Sequence, residues 1–292
     1  MSSLSSKKPS WLVVKAPQEK TLQQMRRLLD DLNLHVICDQ ALCPNIGTCF
    51  AHGTATFLIL GDTCTRDCHF CAVKKGETRP PDPEEAERVA QAVKRLGLKH
   101  VVVTSVTRDD LKDFGAGQFA STVGRIRTLN PDTRIELLIP DFKGSSEALE
   151  KVVETNPDIL GHNLETVPRL YPQVRPGASY QRSLKLLKMI KVLNRAILTK
   201  SGLMLGLGER EQEILGVMKD LRSVNCDILT LGQYLQPSER QLKVEEYVKP
   251  EKFKEYQEIG LSLGFAYVAS GPLVRSSFNA GEYSWRLSAT PR

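Results

Sequence analysis

Thr54–Ala55–Thr56–Phe57–Leu58–Ile59–Leu60–Gly61, followed by Asp62–Thr63–Cys64–Thr65–Arg66–Asp67–Cys68–His69–Phe70–Cys71, is the stretch on which the fold of this chain turns. Its first part is an apolar, β-branched run closed by glycine, so it reads as a buried strand. Three cysteines spaced C-x3-C-x2-C come directly after it and would occupy the loop that leaves that strand. A second triplet, Cys38, Cys43 and Cys49, stands upstream with the spacing C-x4-C-x5-C. Of the seven cysteines only Cys226 stands apart, within the apolar run Cys226–Asp–Ile–Leu–Thr–Leu–Gly232, where it reads as an inert core residue.

Downstream of the cysteines the chain alternates between strand and helix patterns. A helix opens at Asp82–Pro83–Glu84–Glu85 with acids leading, and it closes at Lys94, Arg95 and Gly97. Buried strands are expected at 99–105, 134–139, 158–162, 196–201 and 227–231. Helices are expected at about 116–129, 147–154, 180–194, 209–223 and 250–263. With the first strand this makes an α/β chain of parallel strands joined by right-handed crossovers. Both an open doubly wound sheet and a partial (β/α)6 TIM-like barrel fit that alternation. Polar motifs cluster just after strands, which favours one functional rim. They are Thr104–Asp110, His162–Glu165, Thr199–Gly202 with Gly206–Glu209, and Gly232–Tyr234. Gly206-x-Gly208 is not a dinucleotide fingerprint, because Glu209 follows and the third glycine is missing.

At 292 residues, with 41% hydrophobic and 25% charged residues, the chain is long enough for one large domain with extensions and ordinary in composition. The expected division is an N-terminal extension at 1–53, a barrel at 54–263 and a C-terminal extension at 264–292. No apolar run approaches the ~18 residues of a membrane span. The start, Met1–Ser–Ser–Leu–Ser–Ser–Lys–Lys–Pro–Ser10, has neither an apolar signal core nor an Arg-rich amphipathic character, so a cytoplasmic location is expected. Disulfides would need an oxidising compartment. Structural zinc prefers four ligands from paired C-x2-C units; His52 or His69 could complete such a site, which leaves zinc open. Three thiolates also suit an iron–sulfur cluster that keeps one iron free for a ligand from elsewhere.

The second triplet, with Phe70 before its last cysteine, resembles the motif of the radical S-adenosylmethionine superfamily. From about residue 20 onward the chain resembles the lipoyl synthase family. The first triplet carries that likeness, as does Gly271–Pro–Leu–Val–Arg275–Ser276–Ser277–Phe278, which is similar to the family's Arg-Ser-Ser-Tyr signature. Phe278 departs from the usual tyrosine, so no role of that hydroxyl carries over.

The resemblance implies insertion of two sulfur atoms at C6 and C8 of an octanoyl chain carried on a lysine of a lipoyl carrier domain. Those carbons carry no acidic hydrogens, so a radical supplied by a cofactor must abstract them. It implies two [4Fe-4S] clusters and S-adenosyl-L-methionine. Cys64, Cys68 and Cys71 would hold the cluster that reduces the sulfonium. Cys38, Cys43 and Cys49 would hold an auxiliary, sulfur-donating cluster with Ser277 as its fourth ligand. Phe70, Asn163, Glu165 and Lys200 are the expected S-adenosylmethionine contacts, although Glu165 and Lys200 could instead pair with one another.

Implied partners are octanoylated carriers of the 2-oxoacid dehydrogenase E2 or glycine cleavage H protein type, and an electron donor such as ferredoxin or flavodoxin. No nucleic acid or membrane is expected. Between Thr166 and Gly208 there are eight basic residues and no acid. Arg182, Lys185, Lys188, Lys191 and Arg195 recur at helical steps, a stripe suited to an acidic carrier. Two alternatives are a biotin-synthase-like sulfur inserter, which is not expected to carry the first triplet, and a zinc-stabilised nucleic-acid binder using the basic stripe. The latter lacks aromatics among its basic residues.

Overall fold

The computed structural model describes residues 8–14, 19–41, 43–51, 56–278 and 280–281. Thr54, Ala55 and His52 lie outside the described residues, as do the first seven residues and those after 281. In chain order, α1 (Glu19–Asp31), β1 (His35–Val36), α2 (Ile37–Gln40) and α3 (Ile46–Ala51) precede β2 (Thr56–Ile59). Two short strands, β3 (Thr63–Cys64) and β4 (Lys74–Lys75), bracket the second triplet and pair with each other. Then come α4 (Glu85–Arg95), β5 (His100–Ser105), α5 (Ala116–Leu129), β6 (Arg134–Leu138), α6 (Ser146–Val153), β7 (Ile159–Gly161) and α7 (Tyr171–Val174). The chain continues with α8 (Tyr180–Leu193), β8 (Leu198–Leu205), α9 (Glu211–Ser223), β9 (Ile228–Gln233), α10 (Pro250–Ser262) and β10 (Tyr267–Gly271).

The six expected strands form the parallel body of an eight-stranded sheet, whose order is β1-β2-β5-β6-β7-β8-β9-β10. Residue 104 pairs with 58 on one side and 138 on the other, and Gly161 pairs with Lys200, so the registers step regularly around the sheet. The sheet is an open, partial barrel, since no pairing joins its two ends among the described residues. Two edge strands lie outside the expected set. β1 adds antiparallel to β2, and β10 adds as a seventh parallel strand within the segment expected to form the C-terminal extension. Both are short, two and five residues, and neither carries an uninterrupted apolar run that a periodicity reading could detect. β8 runs on to Leu205, past the expected end at 201.

The helices form for local reasons that the sequence displays. Acids at Glu85 and Glu87 and bases at Lys94 and Arg95 match the dipole of α4, whose Val89, Ala90 and Val93 are buried. Ser145 caps α6 by accepting from the Ala148 amide, and Ser179 caps α8 by accepting from that of Arg182. Strand side chains alternate between the helix layer and the barrel interior. Phe57, Ile59, Val101, Val103, Ile135 and Leu137 belong to the main core beneath the helices.

The interior is stratified. At its floor Val102, Ile159, Ile228 and Ala280 form a small separate apolar cluster. A charged group of Lys200, Glu136 and His100 shares that level: Glu136 pairs with Val102 and Ile159, Lys200 pairs with Ile228, and His100 stands two residues before Val102. Above that, at the carboxyl ends of the strands, is the cavity described next. Among the described residues no helix is long and apolar enough to cross a membrane.

Candidate active site

Thr56, Leu58, Thr104, Leu138, Gly202, Met204, Thr230 and Gly232 are inward-facing strand residues, and together they wall a cavity of about 660 Å³ at the carboxyl ends of the strands. All six cysteines of the two triplets line it. So do Phe70, Asn163 and Glu165, and the C-terminal segment Val274–Phe278, which includes Ser277. The structure therefore brings four stretches that are far apart in sequence to one space.

The second triplet leaves β2 through Leu60, whose φ of 68° turns the chain sharply. The Leu60 amide is captured at 2.9 Å by the buried carboxylate of Glu85, which also accepts from Gln118. The cysteine loop is then tied by its backbone to three others. The Thr65 amide donates to the Thr107 carbonyl, the His69 amide to Val174 and the Leu242 amide to His69.

Arg66, between the first two cysteines of this triplet, donates two bonds to Asp109 (2.8 and 2.9 Å) and one to Asp141 (2.6 Å). Asp141 accepts a further bond from Arg182 at 2.7 Å, and its side chain is fully buried. Burial pushes that carboxyl up, but the two guanidiniums outweigh it and hold the group well below the usual carboxylate range.

The first triplet is assembled differently. Cys38 sits in α2 and Cys49 in α3, with Cys43 in the turn between them. The Cys43 amide donates to the Cys38 carbonyl at 3.0 Å, and that of Cys49 to Asn45 at 2.9 Å. Asn45, only 5% exposed, donates through Nδ2 to the carbonyl of Leu273 at 2.6 Å. This bond joins the first triplet to the C-terminal segment. Gly232 makes room for that segment, because a Cβ there would lie 2.0 Å from the Val274 oxygen.

Burial raises the thiol of Cys38 to about 12, that of Cys49 to about 11 and that of Cys71 to about 12, with neighbouring cysteines adding to each rise. Cys43 and Cys68 are also raised by burial. Such thiols ionise when a positive metal centre takes the place of their protons. Among the described residues no three Cys, His, Asp or Glu groups converge tightly enough for a single metal ion. A cube of four irons and four sulfides is wider than one ion, so two separate thiol triplets facing one roomy cavity suit that group. His69, weighed above as a zinc ligand, gives Nδ1 to the Gln173 carbonyl at 2.7 Å.

On the opposite wall, Asn163 donates to Glu165 at 3.1 Å, and burial raises the Glu165 carboxyl. Glu165 adopts a φ of 67°, which turns it into the cavity after β7. Lys200 is not among the lining residues. It faces the interior two residues before Gly202, and its Nζ lies 2.5 Å from Glu136 Oε1, with His100 Nε2 at 3.3 Å from Oε2. Glu165 and Lys200 thus do not pair with one another; each has its own partner. Burial would raise Glu136, but the Lys200 ammonium and the His100 ring hold it down at about 2.

Arg175 also lines the cavity, although no motif in the sequence marks it as a site residue. Its Nη1 donates to the Asn163 carbonyl at 2.8 Å and to that of Leu164 at 3.1 Å, while the buried Nε finds no partner among the described residues. Its only sequence signal was membership of a basic stretch. Lys8 and Val14 also reach the cavity, so the segment around Trp11 approaches the site. Cys226 is fully buried, with its thiol raised to about 12.

The basic stripe of α8 is thinner than its sequence implies. Arg182 is engaged by Asp141, and Lys191 lies 2.5 Å from Asp227. Lys185, Lys188 and Arg195 remain exposed, with no ion pair among the described residues.

Residues 58–221 match the sequence model of the Radical SAM superfamily. Solved structures share the fold at low identity. Methylornithine synthase superposes with a TM-score of 0.54 at 14% identity, covering 89% of this chain and 80% of that one. Coproporphyrinogen III oxidase (HemN) from Escherichia coli gives 0.53 at 16%, covering 71% and 52%. Curated relatives are much nearer. Lipoyl synthase of Caldanaerobacter subterraneus subsp. tengcongensis is 56% identical over 95% of this chain and 97% of its own length. Lipoyl synthase of Nitrosomonas eutropha is 53% identical over 94% and 88%. With such identity across nearly the whole chain, the protein belongs to the lipoyl synthase family, sulfur-inserting enzymes of the radical S-adenosylmethionine superfamily.

Proposed function

We propose that this enzyme inserts two sulfur atoms, at C6 and C8, into an octanoyl chain borne on a lysine of a lipoyl carrier domain. The observation that carries the proposal is the single cavity lined by both cysteine triplets and by Ser277. A four-iron cluster held by Cys64, Cys68 and Cys71 would supply the electron that cleaves S-adenosylmethionine to a 5′-deoxyadenosyl radical. A second cluster held by Cys38, Cys43, Cys49 and Ser277 would supply sulfur.

The remaining work falls to the chain's own side chains. Arg66, locked by Asp109 and Asp141, fixes the loop between Cys64 and Cys68. Glu165 and Asn163 offer acceptors and a donor to ribose hydroxyls or an ammonium group, and Arg175 beside them offers a cation to a carboxylate. Phe70 gives the adenine an apolar face. Met204, Leu235 and Phe278 present apolar surface suited to an acyl chain. Lys200, in the layer below, supports the wall through Glu136.

The test is an anaerobic single turnover with reconstituted enzyme, a strong reductant, S-adenosylmethionine and an octanoyl-lysine peptide, read by mass spectrometry. A dithiolated peptide together with 5′-deoxyadenosine is expected. Deoxyadenosine with no sulfur on the peptide would overturn the substrate or the sulfur role of the first triplet. For the carrier itself, exposed Lys185 and Lys188 are the proposed docking charges. Reversing both to Glu should slow turnover of an intact acidic carrier at low salt and leave the short peptide unaffected. Equal rates across salt concentrations would remove that surface from the proposal.

A further inference from the structure

The C-terminal segment enters the cavity pinned at three points, and the third has no role in the function proposed above. Asn45 holds the Leu273 carbonyl, and the bare backbone of Gly232 receives the Val274 carbonyl. Beyond these, the Ser276 hydroxyl donates to Asn163 Oδ1 at 3.3 Å.

Asn163 is itself fixed on every side. Its Nδ2 donates to Glu165, its carbonyl accepts from Arg175, and its side chain lies against Gly202, where a Cβ would come within 3.0 Å of Oδ1. One Nδ2 hydrogen goes to Glu165, and the oxygen accepts from Ser276, which leaves the second Nδ2 hydrogen for the cavity. The neighbouring Ser277 hydroxyl lines the cavity and makes no hydrogen bond among the described residues. The two serines are therefore divided in role, one anchored to the far wall and one free to act as a ligand.

We propose that Ser276 and Asn163 form a positioning pair that presents Ser277 to the first cysteine triplet. The inference rests on the assignment of Ser277 as a ligand made above. A serine oxygen is a harder donor than thiolate and binds iron less firmly, so its residence on the metal depends more on where the backbone places it. Partners that orient a ligand without touching the metal commonly change metal affinity by about 10–100-fold. Since Asn163 also contacts Glu165, the same pair ties the segment bearing Ser277 to the wall beside the second triplet.

The test uses the full-length chain with Cys64, Cys68 and Cys71 changed to Ala, so that only the first triplet can hold a cluster. After anaerobic reconstitution and mild oxidation, loss of the fourth iron is followed as growth of the three-iron electron paramagnetic resonance signal. Ser276→Ala and Asn163→Ala should each speed that loss about 10-fold or more. The double variant should be no faster than either single one, because both remove the same bond. Ser276→Thr, which keeps the hydroxyl, should behave like the parent and so separates positioning from general disruption.

Ser277→Ala sets the upper limit. If it loses iron no faster than the parent, the ligand assignment itself is wrong. If it is fast while Ser276→Ala matches the parent, or if the two single effects add, the positioning pair is overturned.

Discussion

Cys64, Cys68 and Cys71 ride on a loop that the barrel ties down from three sides. Cys38 and Cys49 ride on two short helices and Cys43 on the turn between them, and among the described residues an Asn45 bond reaches the C-terminal segment. The residue types are the same and the support differs. The loop of the second triplet is braced by an ion network around Asp141, with strand residues beneath it. The first triplet is held to β2 through Cys38 and Thr56, and it meets the C-terminal segment, more than two hundred residues away in sequence, through Asn45 and Leu273. Under the proposed function, a rigid mount would suit a cluster that returns unchanged after each electron transfer, and a different mount would suit one that gives up sulfur.

The largest effect tests that difference directly. Cys68→Ala should reduce 5′-deoxyadenosine formation to background in the anaerobic assay. Cys43→Ala should leave deoxyadenosine formation in place and remove sulfur from the product. Loss of deoxyadenosine in both variants would erase the functional distinction between the triplets.

The mounts can be weakened separately. Asp141→Asn leaves Arg66 and Arg182 without their shared carboxylate, and breaking such a buried pair costs about 3–5 kcal/mol. Denaturant unfolding should show that loss, together with lower iron content at the second triplet. Asn45→Ala removes one hydrogen bond and leaves the Leu273 carbonyl unsatisfied, a cost of about 1–3 kcal/mol. Its iron loss should fall on the first triplet alone. The opposite pattern of iron loss would reverse the assignment of supports.

Lys200 tests where the cavity ends. Lys200→Met should destabilise the fold by about 3 kcal/mol through the stranded Glu136 carboxylate. Binding of S-adenosylmethionine, measured by calorimetry on the reconstituted protein, should change little. A selective loss of cofactor affinity without loss of stability would return Lys200 to the cofactor site.

A smaller effect comes from His162, buried against the Ile139 carbonyl and the Ser183 hydroxyl and depressed by burial to about 4. In the unfolded chain this ring titrates near 6.5. Between those values the unfolded state binds the extra proton and the folded state does not, so stability falls as pH drops from about 6.5 towards 4. The loss reaches at most about 3 kcal/mol. Urea unfolding at pH 7 and pH 5 should show the decline, and His162→Asn should flatten it.

The alternation of elements and both cysteine triplets were legible in the one-dimensional chain, because apolar period and local spacing are properties of contiguous residues. Six strands and six helices fell where periodicity placed them, to within a few residues. The edge strands β1 and β10 were hidden because a short strand at a sheet edge carries too little pattern to stand out. Which polar residues share a space emerges only on folding. Asn163 and Lys200 both stand near the carboxyl ends of expected strands, yet Asn163 leaves β7 into the cavity while Lys200 stays within β8, below it, beside Glu136. Arg175, Arg66 and Asn45 acquire meaning only from partners brought close by folding. The basic stripe lost two of its five charges to Asp141 and Asp227 for the same reason: an ion pair depends on distance in space, which no one-dimensional spacing records.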